Sequence, residues 1–151
     1  MKEEKTVQEN LLRAWLDMVT CIRANRIVSK MSFNEILICN ILFRHQKSGD
    51  EMLTATDLCE HTKLLKSQIN KILTAMEKKG LIERIRSTKD KRKMYIRLSE
   101  KELSCYLKEH QRIMNLFDQI VDTLGEEKTT ELIEMMNTSV AIASQFQEEE
   151  K

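Results

Sequence analysis

Residues 66–98 read KSQINKILTAMEKKGLIERIRSTKDKRKMYIRL, and a change of period inside this stretch decides the fold. Before Gly80, the apolar residues Ile69, Ile72, Leu73 and Met76 recur at helical spacing. After it, Leu81-Ile82-Glu83-Arg84-Ile85-Arg86 and Met94-Tyr95-Ile96-Arg97-Leu98 read as short strands. The polar stretch from Ser87 to Lys93 joins them and contains no pair that demands a two-residue turn, so a longer, charged loop is expected.

The same region carries most of the positive charge. From Lys63 to Arg97 there are twelve basic residues against three acidic ones (Glu77, Glu83, Asp90), a net +9, while the rest of the chain has 13 against 21, a net −8. The overall value of +1 conceals this segregation. Charge concentrated in so compact a stretch is the electrostatic footprint of a nucleic-acid contact.

Working outward, helical patterns surround the stretch. Proline is absent and glycine occurs only three times, so Gly49, Gly80 and Gly125 act as punctuation, each following a helical pattern. A first helix is expected from about Thr6 to Ser29, with Leu11, Leu12, Trp15, Met18, Val19, Ile22 and Arg26 on one stripe. A second starts near Ser32, where Glu35 completes a capping box, and stops near Ser48-Gly49. A short helix runs from about Thr54 to His61, with Thr54 as cap and Asp57 three residues on. After the strands, Ser99-Glu100-Lys101-Glu102 reads as a further capping box. The helix it opens spaces Leu103, Leu107, His110, Met114, Phe117, Val121 and Leu124 by fours and threes. That is a coiled-coil-like seam of about 35 Å. A last helix carries Leu132, Met136, Val140 and Ala143 before the acidic tail Glu148-Glu149-Glu150.

Helix, helix, short helix, helix, strand, basic loop, strand is the order of a winged helix-turn-helix. The expected fold is therefore mainly α (α+β), with a two-stranded wing and long flanking helices. Residues 1–31 form an N-terminal dimerisation helix, 32–98 the DNA-binding domain, 99–147 the C-terminal dimerisation helices and 148–151 the acidic tail. A long helix with one apolar stripe has little to cover it in so small a domain, so pairing with a second copy is expected. With 41% hydrophobic and 32% charged residues, the chain suits a helical protein with much solvated surface. It has no long apolar run and no signal-peptide pattern, so a soluble, cytoplasmic protein without membrane contact is expected. Cys21, Cys39, Cys59 and Cys105 lie far apart without a C-x-x-C pair and read as reduced thiols.

The chain resembles the MarR family of bacterial and archaeal regulators over roughly residues 11–146. The resemblance rests on Leu53-Thr54-x-x-Asp57-Leu58, Met76-Glu77-Lys78-Lys79-Gly80-Leu81-Ile82-Glu83-Arg84, Lys89-Asp90-Lys91-Arg92 and Leu98-Ser99, taken together at these separations. Two departures stand out. Glu102 occupies a position where the family often has Gly, and the wing's usual Asp-Arg-Arg is Asp90-Lys91-Arg92 here. Lys91 keeps the charge but not the planar bidentate fork. The resemblance implies a ligand-responsive repressor that binds a pseudo-palindromic operator on double-stranded DNA as a homodimer. It also implies a small aromatic or phenolic effector held between the DNA-binding part and the dimer helices.

On the helix from Lys66 to Lys79, residues near the N-terminal end reach base edges in helix-turn-helix docking. These are Ser67, Gln68, Asn70 and Lys71, with Gln and Asn able to bond adenine bidentately. Wing residues Lys89, Lys91 and Arg92 would meet phosphates or a narrow minor groove. Asp90 is expected, from the resemblance, to orient Arg92 or to pair with Arg84. Trp15, Met18, Ile22 and His110 are the expected effector lining.

Other readings stay open on the same fold. The resemblance implies that a redox-sensing member would use a cysteine in the first helix, here Cys21, with tyrosines nearby, although the only tyrosines, Tyr95 and Tyr106, lie outside the first two helices. A zinc sensor would need histidines that cooperate, but His45 and His61 lie on different elements and no His-x-x-x-His occurs. His110 in the seam reads more simply as a satisfied interior residue. A winged helix used for protein contact would have no need of so much unscreened positive charge. No phosphate loop, metal-ligand pair or nucleophile with an evident base appears, so neither an enzyme nor a cofactor is expected.

Overall fold

The first three helices begin where Thr6, Ser32 and Thr54 take up early free N–H groups. In the computed structural model, which describes residues 6–24 and 31–149, the elements in order are α1 (Val7–Ala24), α2 (Phe33–Ser48), β1 (Leu53–Thr54), α3 (Ala55–Thr62), α4 (Lys66–Lys78), β2 (Ile82–Arg86), β3 (Met94–Leu98), α5 (Leu103–Leu124) and α6 (Glu126–Glu149). The expected extension of the first helix through Ser29, with Arg26 on its stripe, and the end of the acidic tail lie outside the described residues.

Two of the three anticipated capping boxes are present. Ser32 Oγ accepts the Glu35 N–H at 3.2 Å while Glu35 Oε2 accepts the Ser32 N–H at 2.8 Å. Thr54 Oγ1 accepts the Asp57 N–H at 3.3 Å, and Asp57 Oδ2 accepts the Thr54 N–H at 2.7 Å. Gly49 closes α2 in the left-handed region, as its place in the sequence implied. The turn after α3 is different, because Lys63 takes a φ of 59° there without being glycine. Such a conformation crowds the Cβ and costs about 1–2 kcal/mol, which the packing of α3 and α4 must outweigh.

The chain divides into two units, Met1–Arg112 and Ile113–Lys151, with the boundary inside α5. In the first unit, α2, α3 and α4 bury Ile38, Leu42, Leu58, Ile69, Leu73 and Met76 completely. A three-stranded antiparallel sheet of order β1-β3-β2 closes this core. β2 and β3 form the hairpin, from Ile82 opposite Leu98 to Arg86 opposite Met94. β1, not anticipated as a strand, pairs Leu53 with Ile96 and Thr54 with Tyr95, and so ties the start of α3 to the hairpin. Tyr106, from the first turn of α5, is only 1% exposed and completes the core.

α5 begins at Leu103, later than the Ser99–Glu102 capping box implied. Ser99 is buried, and its N–H donates to the Leu81 carbonyl at 3.0 Å, extending the strand pairing by one step instead of opening the helix. Further along, Leu107, Met114, Phe117 and Leu124 are exposed. On the second unit, α6 exposes Leu132, Met136 and Val140 and, beside them, Ile133, Ile142 and Phe146. α1 likewise leaves Leu11, Leu12, Trp15 and Met18 in solvent.

One ion pair spans the first unit. Glu35 is 4% exposed, and its second oxygen accepts Lys79 Nζ at 2.6 Å, linking the first turn of α2 to the end of α4. Glu35→Ala removes this bond and the cap together, and is expected to cost about 1–3 kcal/mol in urea unfolding. Glu35→Ala with Lys79→Met should cost little more than Glu35→Ala alone, since both remove one shared interaction. Additive losses would show that the pair does not couple the two helices.

Candidate nucleic-acid interface

α4 owes its orientation to its apolar stripe. With Ile69, Leu73 and Met76 fully buried, the helix must turn Ser67, Gln68, Asn70 and Lys71 to solvent, and all four are exposed. All four therefore lie on the free side of the first two turns. Gln68 has a second engagement, because its Oε1 accepts the Leu65 N–H at 3.0 Å and caps the helix from within. Leu65 itself is 69% exposed at the head of α4.

The wing loop is built rather than loose. The Ser87 N–H donates to the Lys93 carbonyl at 3.0 Å, and the Lys93 N–H to the Asp90 carbonyl at 2.9 Å. The Asp90 N–H meets Ser87 Oγ at 3.1 Å, and Asp90 Oδ1 accepts the Arg92 N–H at 3.0 Å. Lys89, Lys91 and Arg92 project from this frame into solvent. Asp90 thus acts on the backbone of Arg92, not on its guanidinium. The expected Asp90–Arg84 pair is corrected as well. Arg84 lies opposite Ile96 in mid-hairpin, and its guanidinium turns to α4, with Nε 3.4 Å from Glu77 and Nη2 donating to Thr74 at 3.2 Å.

Three of the twelve cations are therefore engaged within the fold: Lys79 with Glu35, Arg84 with Glu77, and Arg97 with Glu83 at 2.8 Å. The other nine, Lys63, Lys66, Lys71, Lys78, Arg86, Lys89, Lys91, Arg92 and Lys93, are all exposed. They lie in the turn before α4, on α4 itself and on the wing.

The expected effector residues are not gathered in the described chain. Trp15, at 61% exposure, Met18 and Ile22 stand on the open face of α1. His110 belongs to a cluster between α2 and α5, with its Nδ1 3.5 Å from the Tyr106 hydroxyl and its ring beside Phe43. Asn40 Nδ2 donates to the same hydroxyl at 3.1 Å. Sequence spacing gave no sign of this Asn40–Tyr106–His110 chain, since it joins residues 66 positions apart. His45 and His61, on different helices, are neighbours with ring centroids 5.5 Å apart. Among the described residues, no group of three His, Cys, Asp or Glu side chains is placed to hold a metal ion. Cys21 is exposed, whereas Cys39 is sealed in the core. Burial, helped by the charge of Glu35 and by Cys105, pushes the Cys39 thiol up to about 12, so it stays protonated and unreactive at neutral pH.

A family model described as "Transcriptional regulator SarA/Rot" matches residues 25–108. The chain belongs to the SarA/Rot family of transcriptional regulators. The MarR-type winged-helix regulator expected from the sequence is borne out by this match and by the fold. The homoprotocatechuate degradative operon repressor of Escherichia coli is 29% identical to this SarA/Rot-type chain over 93 residues, covering 62% of it and 63% of the relative. The match thus spans less than two thirds of that relative. The fold is shared with the repressor CouR bound to a 23-mer DNA duplex, at a TM-score of 0.68 and 19% identity over 89% of this chain and 92% of that one. It is also shared with NadR in complex with 4-hydroxyphenylacetate, at a TM-score of 0.64 and 22% identity over 91% and 94% of the two chains. At these identities the likeness is one of fold.

The cap of α3 in this SarA/Rot-type regulator carries a pH dependence. Burial alone would raise the Asp57 carboxyl, but the Thr54 N–H and hydroxyl outweigh it, His61 and Lys93 add to them, and the group ends below its ordinary value. A carboxyl depressed in the folded state stabilises above its unfolded pKa of about 3.9, and that contribution is lost as pH falls through the folded value. The stability gap between the wild type and Asp57→Asn, read by urea unfolding from pH 7 downward, should narrow below about pH 4. A gap constant across that range would show that the cap does not depend on the ionised form.

Proposed function

We propose that this chain is a ligand-responsive repressor that binds an operator on double-stranded DNA as a homodimer. The observation that carries the reading is the set of nine exposed cations running from Lys63 to the wing beside a row of polar side chains on α4. In this reading Ser67, Gln68, Asn70 and Lys71 enter the major groove, while Lys89, Lys91 and Arg92 meet phosphates or the flanking minor groove. Asp90 and Ser87 hold the wing in shape, and Arg84 braces the hairpin on α4.

Residues 32–98 serve as the DNA-binding domain, and 1–31 and 99–147 as the dimerisation helices. Supporting this, the apolar faces of α1, α5 and α6 are exposed in the single chain, more than a soluble monomer commonly leaves uncovered. Repression and an aromatic effector are inferred from the relatives, one named as a repressor and one holding 4-hydroxyphenylacetate. Trp15, Met18 and Ile22 would line the effector site with His110 once a second copy covers α1. No helix among the described residues is long and apolar enough to cross a membrane.

Sedimentation velocity at micromolar concentration should give a dimer, and a stable folded monomer would remove that part of the reading. Operator affinity should fall by orders of magnitude between about 50 and 200 mM salt, since cations on phosphates release condensed counterions. Binding that ignores salt would favour a winged helix for protein contact instead.

The wing gives a sharper test. Asp90→Ala makes it more positive but removes the acceptor of the Arg92 N–H, so weaker operator binding is expected. Tighter binding would make the wing a purely electrostatic device.

A further inference from the structure

The first turn of α4 carries two features that DNA binding in general does not explain. Leu65, at the head of a helix whose other free positions there are polar, is left 69% exposed by the described residues. Gln68, three residues on, is held by its own oxygen. A backbone N–H can only be met by the carbonyl end of an amide, so the 3.0 Å bond from Leu65 fixes which end of Gln68 is which. With Oε1 turned back to the helix start, the side chain offers its NH2 outward. Bidentate pairing with adenine needs both ends of the amide on one edge, whereas here Oε1 is already engaged by the Leu65 N–H and the NH2 is the free end.

We propose that Leu65 and Gln68 together read one thymine in each half-site, Gln68 donating to O4 and Leu65 packing on the C5 methyl. The inference rests on the DNA-binding reading above. Thymine is the base whose major-groove edge sets an acceptor beside a methyl group, while guanine offers acceptors alone and cytosine a donor. Leu65 is the extended N-cap residue and Gln68 the third residue of α4, and the 3.0 Å bond between them keeps both at the same end of the helix, which suits two neighbouring features of one base. The expected use of Gln68 on adenine is replaced by donor-only recognition. Asn70, whose side chain takes no part in the cap, keeps both ends of its amide for the groove.

The test begins with selection of an operator from random duplexes by the full-length chain. Each thymine is then replaced singly by deoxyuridine, which pairs identically and lacks only the methyl. One thymine per half-site should lose about fourfold in affinity on this change, the equivalent of one buried methyl group. With Leu65→Ala, thymine and uracil at that position should bind equally. Gln68→Glu keeps an oxygen for the cap but replaces the donor by an acceptor. The wild type should prefer thymine to cytosine there by about tenfold, and Gln68→Glu should reverse the order.

Both readings are ratios between duplexes, so the uniform loss caused by an added negative charge cancels. Thermal melting should stay at the wild-type value for both variants, because Leu65 is exposed and Gln68→Glu retains the cap. The proposal is overturned if no thymine responds to loss of its methyl, if the response survives Leu65→Ala, or if Gln68→Glu keeps the wild-type base order. A selection that enriches nothing, or binding indifferent to salt, would bring down the DNA-binding reading itself. Salt-dependent, sequence-selective binding without these effects overturns the thymine assignment alone.

Discussion

Burial of one face of α4 sets the terms for the rest of the surface. Ile69, Leu73 and Met76 are held among Ile38, Leu42 and Leu58 of α2 and α3, leaving the helix no freedom to rotate about its axis. A rotation by one residue would bring a polar side chain into a close-packed interior, at a cost of several kcal/mol. Which side chains meet a partner is therefore decided inside the core. Pairing of β1 with β3 extends the same restraint to the hairpin, because the residue that starts α3 is also hydrogen-bonded into the sheet.

Charge is divided along the same lines. Arg84, Arg97 and Lys79 lie where the hairpin and α4 turn towards acidic neighbours, and their role is to hold elements together. The remaining nine cations have solvent on most sides, so their field acts outward. The wing shows how such a field is kept in place. Like charges on Lys89, Lys91 and Arg92 repel one another, and the hydrogen bonds of Ser87 and Asp90 hold the loop against that repulsion.

Local features were legible in the sequence. The Ser32–Glu35 and Thr54–Asp57 boxes, the glycine after α2 and the change of period after Gly80 each lie within a few residues, where backbone geometry is enough to read them. What escaped is non-local. A strand of two residues has no period, so Leu53-Thr54 gave no sign of joining β3. Tyr106 resembled any helical tyrosine until the fold set its hydroxyl beside Asn40. Arg84 could not be assigned to Glu77 rather than Asp90 until the register of the hairpin was fixed. Leu65 was not singled out, because sequence alone does not say which of two adjacent leucines is turned out.

Glu35 has a consequence that reaches beyond stability. One of its carboxylate oxygens closes the first turn of α2 and the other holds the lysine that ends α4. Fraying at one end therefore weakens the anchor of the other, and the two events share a free energy. Linkage of this kind is reciprocal: under the proposed DNA binding, whatever fixes α4 in a groove would also firm the start of α2, and whatever loosens α2 would lower the affinity of α4. A single buried carboxylate so gives the fold a thermodynamic link between the start of α2 and the end of α4, the helix proposed to read DNA.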